Sequence, residues 1–337
     1  MTVPGALAKG LVRKGEQHDP GSGHIHLVPG SRFSTSRASY PLKLLSPAAL
    51  PSQPANLGTI YTLAYGGGLV AGDVISLSVE VDKGCKLVML TQGSTKVFKK
   101  RPGIRPKSHL LRTSSATRLS NDHWTVLQRL HVTLNPESVL VLMPDSVSPF
   151  KDSRYNQLQR FVLPACGTAS AIILDWVNSG RGQQQGFAGA TDEVEVWSMT
   201  RYASTNEVLV GDKVIMRERM VLDNDTIQAS TPRHDNKQSH MSRHLAPYNV
   251  YATLLVIGPQ FKQLLEHLHH AAEQVQQFQR IRPQTLTWAF SPVEEGRGGV
   301  LRIAAVEVED VRAWLREHLD KGGVREMVGD GLWPRVV

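Results

Sequence analysis

The densest glycine cluster, Tyr65-Gly66-Gly67-Gly68-Leu69-Val70-Ala71-Gly72-Asp73, is the first candidate for chemistry, as a cradle for phosphate. Gly67 and Gly72 have the spacing of a P-loop, but Asp73 follows where a lysine must reach the phosphates. A carboxylate there repels them. Gly66-x-Gly68-x-x-Ala71 has the spacing of a dinucleotide fingerprint, yet the alternating run from Val74 follows it rather than a helix. Without a helix N-terminus, no row of backbone N–H groups is aimed at a pyrophosphate. The stretch therefore reads as a bend between strands, where a positive φ or a close backbone approach requires glycine.

Basic chemistry comes next. Leu90-Thr91-Gln92-Gly93-Ser94-Thr95-Lys96-Val97-Phe98-Lys99 runs into Lys100, Arg101, Arg105 and Lys107, the densest cationic patch in the chain. Ser94-Thr95-Lys96 lacks the S-x-x-K spacing of a nucleophile. Lys plus Arg exceeds Asp plus Glu by 38 − 30 = 8, a balance that favours acidic partners. The competing functional class is thus a nucleic-acid-binding basic β protein, whose affinity would fall steeply with salt. No aromatic residues interleave with the patch to stack on bases, and the solvated-face reading is preferred.

Metal chemistry has three candidate groups: His234, His240 and His244 in a polar stretch, His24-x-His26 near the start, and Glu266-x-x-His269. Imidazole suits nickel, copper or zinc, but spacing alone fixes no closed geometry, so these read as surface histidines. The two cysteines, Cys85 and Cys166, form no C-x-x-C, which argues against a disulfide framework or a structural zinc and for a reducing compartment. There is no G-x-S-x-G and no H-E-x-x-H. A chain of 337 residues without a catalytic signature reads as a binding or scaffold protein rather than an enzyme.

The elements that must position these residues are mostly strands. With 41% hydrophobic and 20% charged residues, the chain has the composition of a globular protein with a sizeable core. No stretch approaches 18 apolar residues and the start has no signal-peptide h-region, so the expectation is a cytoplasmic protein without a membrane partner. Residues 1–24 read as a mobile tail, and 25–337 as one β domain. Val74 to Asp82 alternates apolar and polar residues, the pattern of a half-buried antiparallel strand. Lys86 to Leu90 is a run suited to a strand covered on both faces. Leu130–Leu134, Val139–Met143, Ala171–Val177, Val194–Val196, Val208–Val210, Val250–Ile257 and Leu301–Val306 follow, separated by turn residues. The fold class is mainly β.

Helical periodicity appears late. Phe261, Leu264, Leu265, Leu268, Ala272, Val275 and Phe278 share one face of a helix near 260–280. A second helix spans 309–319, with Val311, Trp314, Leu315 and Leu319 on its apolar side and Gly322-Gly323 beyond its end. Ser179–Thr191 and Ala229–Ala246 read as loops.

Taken in order, these segments resemble the urease accessory protein D family (UreD, also UreH). The resemblance rests on Gly66, Gly67, Gly68 and Gly72 ahead of a strand, then on Gln92, Gly93, Thr95 and Lys96 in the Leu90–Phe98 stretch. Leu142-Met143-Pro144-Asp145 with Ser148-Pro149-Phe150, the Asp175–Arg181 segment ending in Gly180-Arg181, and Leu332-Trp333-Pro334-Arg335 extend it from about Pro41 onward. The N-terminal extension and the histidine-rich loop resemble eukaryotic, fungal-like members.

The resemblance implies a β-helix-like stack of short strands with two helices in the C-terminal half. It also implies a maturation role without catalysis. The expected partners are a helical accessory protein (UreF), a nickel-carrying GTPase (UreG) and apo-urease, with neither nucleic acid nor membrane among them. No cofactor would be held tightly; Ni²⁺ would pass transiently along a wet internal path, and Asp73 and Asp145 are the positions carried over for it. Oxygen ligands with water release a borderline metal more readily than cysteines or several histidines would, which suits transit over storage. Turn-capping by the same aspartates is the alternative.

Overall fold

A computed structural model describes residues 19–50, 53–100, 124–184, 193–224, 239–275 and 285–337. The chain opens with β1 (Ser22–Val28), β2 (Arg32–Ala38), β3 (Leu42–Leu45), β4 (Leu57–Ala64) and β5 (Gly68–Leu69). Next come β6 (Val74–Val81), β7 (Lys86–Leu90), β8 (Thr95–Val97), β9 (Val126–Leu134), β10 (Val139–Met143) and β11 (Val147–Pro149). β12 (Arg154–Leu163), β13 (Ser170–Asn178), the short pair β14 (Gln183–Gln184) and β15 (Glu193–Val194), and the hairpin β16 (Arg201–Val210) and β17 (Lys213–Asp223) continue it. Helix α1 (His240–Leu245) precedes β18 (Val250–Ile257), and α2 (Lys262–Gln274) precedes β19 (Leu286–Val293) and β20 (Gly298–Ala305). Three helices end the chain: α3 (Val308–Lys321), α4 (Val324–Val328) and α5 (Trp333–Val336).

Two sheets dominate. One has seven strands in the order β17-β16-β12-β9-β6-β1-β2; the other follows β19-β20-β18-β13-β10-β7-β4-β3, with β5, β8 and β11 attached beside this path. From β6 onward the chain steps between them: β6, β9, β12 and β16 lie in the first sheet, and β7, β10 and β13 in the second. Each return lays a strand parallel to the one before it in that sheet. The fold is mainly β, as expected.

This winding corrects one expectation. Val74–Val81 alternates exposed and buried side chains as its sequence requires, but it pairs parallel with both β1 and β9, not antiparallel. Alternation reports which face is buried; direction is set by the crossing to the other sheet and back.

Hydrophobic residues divide into two cores, one on each face of the second sheet. Ile25, Leu27, Ile75, Val79, Leu87, Met89, Leu140 and Ile173 fill the space between the sheets. Val88, Leu90, Val141, Ile172 and Leu174 face the other way, onto Phe261, Leu264, Leu268, Val311, Leu315 and Trp333 of the helical layer. The unbroken run at β7 is therefore covered on both faces, as its sequence indicates.

The helices show where periodicity is legible. In α2, Leu264, Leu265 and Leu268 are buried; the expected stripe ends at Phe278, which lies outside the described residues. The 309–319 helix runs over Val308–Lys321, its start fixed by a reciprocal Glu307–Asp310 capping box. Five helices are present among the described residues, where the sequence indicates two. α1 falls inside the segment read as a loop. It has six residues, capped by Ser239, whose Oγ accepts from Ser242 N–H, and buries only Met241, too little to show a period. At the start, β1 begins at Ser22 rather than after residue 24. Residues 1–18 lie outside the described residues.

Candidate functional site

The motif segments converge at one end of the second sheet. β5 pairs with β8, β8 with β11, and β11 with β13. The Gly66–Asp73, Leu90–Phe98, Leu142–Phe150 and Asp175–Arg181 segments therefore lie side by side beyond the ends of β4, β7 and β10. Gly68 is required there: a Cβ would sit 2.6 Å from Lys96 O and from the Phe98 ring. Gly66, Gly67, Gly72 and Gly93 take positive φ in the flanking turns. Thr95 N–H donates to Ser146 O at 3.1 Å, while Gln92 and Lys96 are exposed. Pro144 O accepts from Trp176 Nε1 at 2.8 Å, and the Arg181 guanidinium lies 4.1 Å from the centre of the Phe150 ring.

Beneath this junction a cavity of about 90 Å³ lies between the sheets, with room for several waters. Thr91, Thr95, Gln128, Arg129, Asp145, Gln157, Gln159 and Asp175 give it a polar lining among Leu69, Ile75, Met89 and Leu142. Parallel register sets up this polar layer. β12 presents Tyr155, Gln157, Gln159 and Phe161 inward, opposite Tyr202, Ser204, Asn206 and Val208 of β16. Rows of aromatic and aliphatic residues thus enclose two polar rows.

Asp175 reaches in from β13. Its carboxylate accepts from Gln157 Nε2 at 3.1 Å, from Asn206 Nδ2 at 2.6 Å and from Ser204 Oγ. Burial pushes its carboxyl upward in pKa, and the bonds from Ser204, Asn206 and Gln157 oppose that rise. Tyr155 OH donates to Gln157 Oε1 at 2.7 Å, and its ring stacks on Tyr202 at 5.5 Å. Burial raises both phenols well above their ordinary range. Gln159 Oε1 and Asn206 Oδ1 are buried without a protein hydrogen-bond partner among the described residues. Buried carbonyl oxygens of this kind are usually satisfied by water or a cation.

The two aspartates singled out from the sequence are not brought together. Asp145 lines the cavity and pairs with Arg312 of α3, while its backbone N–H donates to Thr91 Oγ1 at 2.7 Å. It also borders a cleft of about 140 Å³ beside α3, lined by Arg312, Arg316 and Trp176. Asp145 therefore stands between the inner cavity and the protein's exterior. Asp73 is buried but is not on the cavity wall. Its Oδ2 accepts from Val70 N–H at 2.7 Å, closing the glycine turn.

Sequence reasoning missed Asp175, Gln157, Gln159, Ser204 and Asn206. The signal available was the alternation Tyr155-x-Gln157-x-Gln159-x-Phe161, in which polar and apolar residues share one face. An apolar-period search places those glutamines on the wet side.

The other candidate groups are placed as follows. His240 and His244 stand 3.1 Å apart, Nε2 to Nε2, on α1; His234 lies outside the described residues. Glu266 pairs with Lys262 and His269 with Glu273, so neither is directed to the other. In the basic patch, Lys99 pairs with Asp152 and Lys100 lies 3.9 Å over the Trp124 ring; residues 101–123 lie outside the described residues. Cys85 is buried, Cys166 is exposed, and both are free. No helix among the described residues is long and apolar enough to cross a membrane.

Comparison with known proteins adds a family match. The model of the UreD urease accessory protein family matches residues 22–331. The chain is 54% identical over 323 residues to urease accessory protein 4 of Cryptococcus neoformans var. grubii, covering 94% of this chain and 95% of that protein. It is 28% identical over 303 residues to urease accessory protein D of Oryza sativa subsp. indica, with 84% of this chain and 85% of the rice protein covered. A urease accessory protein UreD of the bacterium Sorangium cellulosum is 29% identical over 282 residues, 84% of this chain and 73% of that protein.

Proposed function

This chain belongs to the UreD urease accessory protein family, and we propose that it is a non-catalytic scaffold for nickel delivery to apo-urease. In this reading it works in the cytoplasm with a helical accessory protein (UreF) and a nickel-carrying GTPase (UreG). The polar cavity between the sheets supports the proposal: it combines two carboxylates with the unpartnered Gln159 Oε1, and Asp145 borders both this cavity and the outer cleft. Nickel is cargo here, not a resident cofactor.

The donor set suits transit. Oxygen ligands and water bind a borderline divalent ion without the affinity that several imidazoles or thiolates would supply. Conduction also requires binding weak enough to allow release. Both carboxylates are already engaged, Asp175 by neutral donors and Asp145 by Arg312, so a passing ion competes with protein partners at each step. Asp73, held in its turn, is assigned to structure rather than to transit.

In this reading the helical partner docks on the solvent-facing sides of α2 and α3, whose apolar sides are used by the second core. Removing residues from Val308 onward would expose that core, so an exposed charge reversal such as Lys262→Glu, away from the Asp145 cleft, is the cleaner probe of docking.

The test is deletion of the gene in a urease-containing host. Urease protein should persist while its activity and nickel content are lost, and the wild-type chain should co-purify with urease and the GTPase. Normal urease activity in the deletion strain would end the proposal.

A further inference from the structure

On the outer face of the seven-stranded sheet, away from the cavity, three side chains with metal-binding atoms converge. β1 and β6 are parallel neighbours with His26 opposite Glu80. Ile25, Leu27, Val79 and Val81 point into the core, so His26, Glu80 and Asp82 share the opposite side. Asp82 follows the last residue of β6, and its backbone N–H donates to Leu27 O at 3.0 Å, holding it beside β1. One ligand atom from each of the three lies within 4.8 Å of the other two. His26 Nε2 is 3.1 Å from Asp82 Oδ1. Donors about 2.1 Å from a shared ion lie roughly 3–4 Å apart, so a small turn of the Glu80 side chain closes the group.

β2 aims the imidazole. The β1–β2 register slips after His26: His26 faces Thr35 and Leu27 faces Phe33, leaving Ser34 as the extra residue of a bulge. Ser34 Oγ donates to His26 O at 3.3 Å and lies 2.9 Å from His26 Nδ1. In the tautomer protonated at Nδ1, Oγ accepts from Nδ1–H and the Nε2 lone pair faces Asp82; in the other, Nε2–H donates to Asp82. Such outer partners fix the tautomer of a ligating histidine. The first arrangement leaves the Nε2 lone pair and the Asp82 carboxylate facing one point, and a bound cation selects it. Asn135 Nδ2 reaches Asp82 only at 3.4 Å, and the Glu80 carboxylate makes no hydrogen bond or ion pair among the described residues.

We propose that His26, Glu80 and Asp82 form a site for one divalent first-row transition ion, which staples the edge hairpin β1–β2 to β6. One imidazole with two carboxylates suits Zn²⁺, Ni²⁺ or Cu²⁺, whereas Mg²⁺ and Ca²⁺ select oxygen donors. The site is independent of the cargo reading, because none of the three residues lines the cavity between the sheets.

Zinc chloride titrated into the full-length chain by calorimetry tests this. One zinc equivalent is expected that His26→Ala removes and that Glu80→Gln combined with Asp82→Asn also removes. Ser34→Ala, which releases the ring, should weaken it about tenfold. His240→Ala, on the separate histidine pair of α1, should retain it, and circular dichroism without metal confirms that each variant is folded. Unchanged zinc binding in both His26→Ala and the carboxamide double variant overturns the proposal. So does the absence of this equivalent from the wild type, with His26 seen by NMR as an imidazolium paired to Asp82.

Discussion

Replacing Asp175 separates the two things a buried carboxylate does, stabilising a network and offering charge. Asp175→Ala leaves Asn206 Nδ2 and Ser204 Oγ without this acceptor, while Gln157 Nε2 keeps Ser204 Oγ at 3.1 Å. Each of the two stranded donors costs about 1–3 kcal/mol, and water in the adjoining cavity recovers part of it, so a net loss of about 2–4 kcal/mol is expected. Asp175→Asn keeps the volume and one acceptor oxygen, sets one amide N–H₂ against a donor and removes a desolvated charge. These effects offset, and stability at pH 7 should stay within about 1 kcal/mol of wild type. The pH dependence has a definite sign. Burial raises the folded pKa of Asp175, so its contribution is complete below the unfolded value near 3.9 and is lost as pH rises through the folded value. Wild type should therefore lose ground to Asp175→Asn as pH rises, by about 1.4 kcal/mol for each tenfold change in the ionisation equilibrium. Urea denaturation from pH 4.5 to 8 measures both quantities. Urease nickel content in a host expressing each variant tests the proposed nickel transit, and Asp175→Asn should lower it although it folds. Equal stability of the Ala and Asn variants would refute the hydrogen-bond reasoning, and full nickel loading with Asp175→Asn would remove the carboxylate from the route.

Two other perturbations separate structure from cargo handling. Asp73→Ala removes the acceptor of Val70 N–H and should cost about 1–2 kcal/mol by chemical denaturation, while urease activation per folded molecule stays normal. His318 stacks on Trp314 and lies 3.0 Å from His267; burial, then the charge of His267, lowers its pKa to about 4. Its contribution is complete above an unfolded value near 6.5 and is lost as pH falls toward 4. The full displacement would give about 3 kcal/mol, which partial exposure reduces to about 1–2 kcal/mol. Comparing urea midpoints at pH 7.5 and 4.5, this pH-dependent loss should disappear in His318→Phe.

Much of the fold was legible because apolar pattern and local geometry agree. The alternation at Val74–Val81, the two-sided run at Lys86–Leu90 and the stripe Leu264-Leu265-Leu268 each report burial directly. Strand direction was not legible, since a parallel and an antiparallel neighbour bury the same side chains. The inner half of the site was hidden for a different reason. Gln157 and Gln159 are almost fully buried, and a rule that assigns polar residues to water sends them to the wrong face. The glycine motif was legible as geometry, because Gly68 lies where Lys96 and Phe98 leave no space for a Cβ. Its chemistry was legible only as an exclusion.

The two-core arrangement explains how such a polar interior is tolerated. A sandwich with a single core would lose cooperativity if a cavity and several amides occupied its centre, because each buried polar group demands a partner. Here the second sheet is apolar on its far side, where Val88, Val141, Ile172 and Leu174 meet the helices. That core holds β7, β10 and β13 in place independently of what lies between the sheets. The inter-sheet layer can then carry Gln157, Gln159, Asn206 and Asp175 between rows of Tyr155 and Tyr202 on one side and Phe161 and Val208 on the other. Parallel register makes this possible, since it aligns equivalent positions of successive strands into rows: two adjacent polar rows lie between an aromatic row and an aliphatic one. Strands slipped by one residue would send the glutamines to solvent and close the cavity. The winding that sequence periodicity did not reveal is thus what turns isolated polar residues into a lined interior.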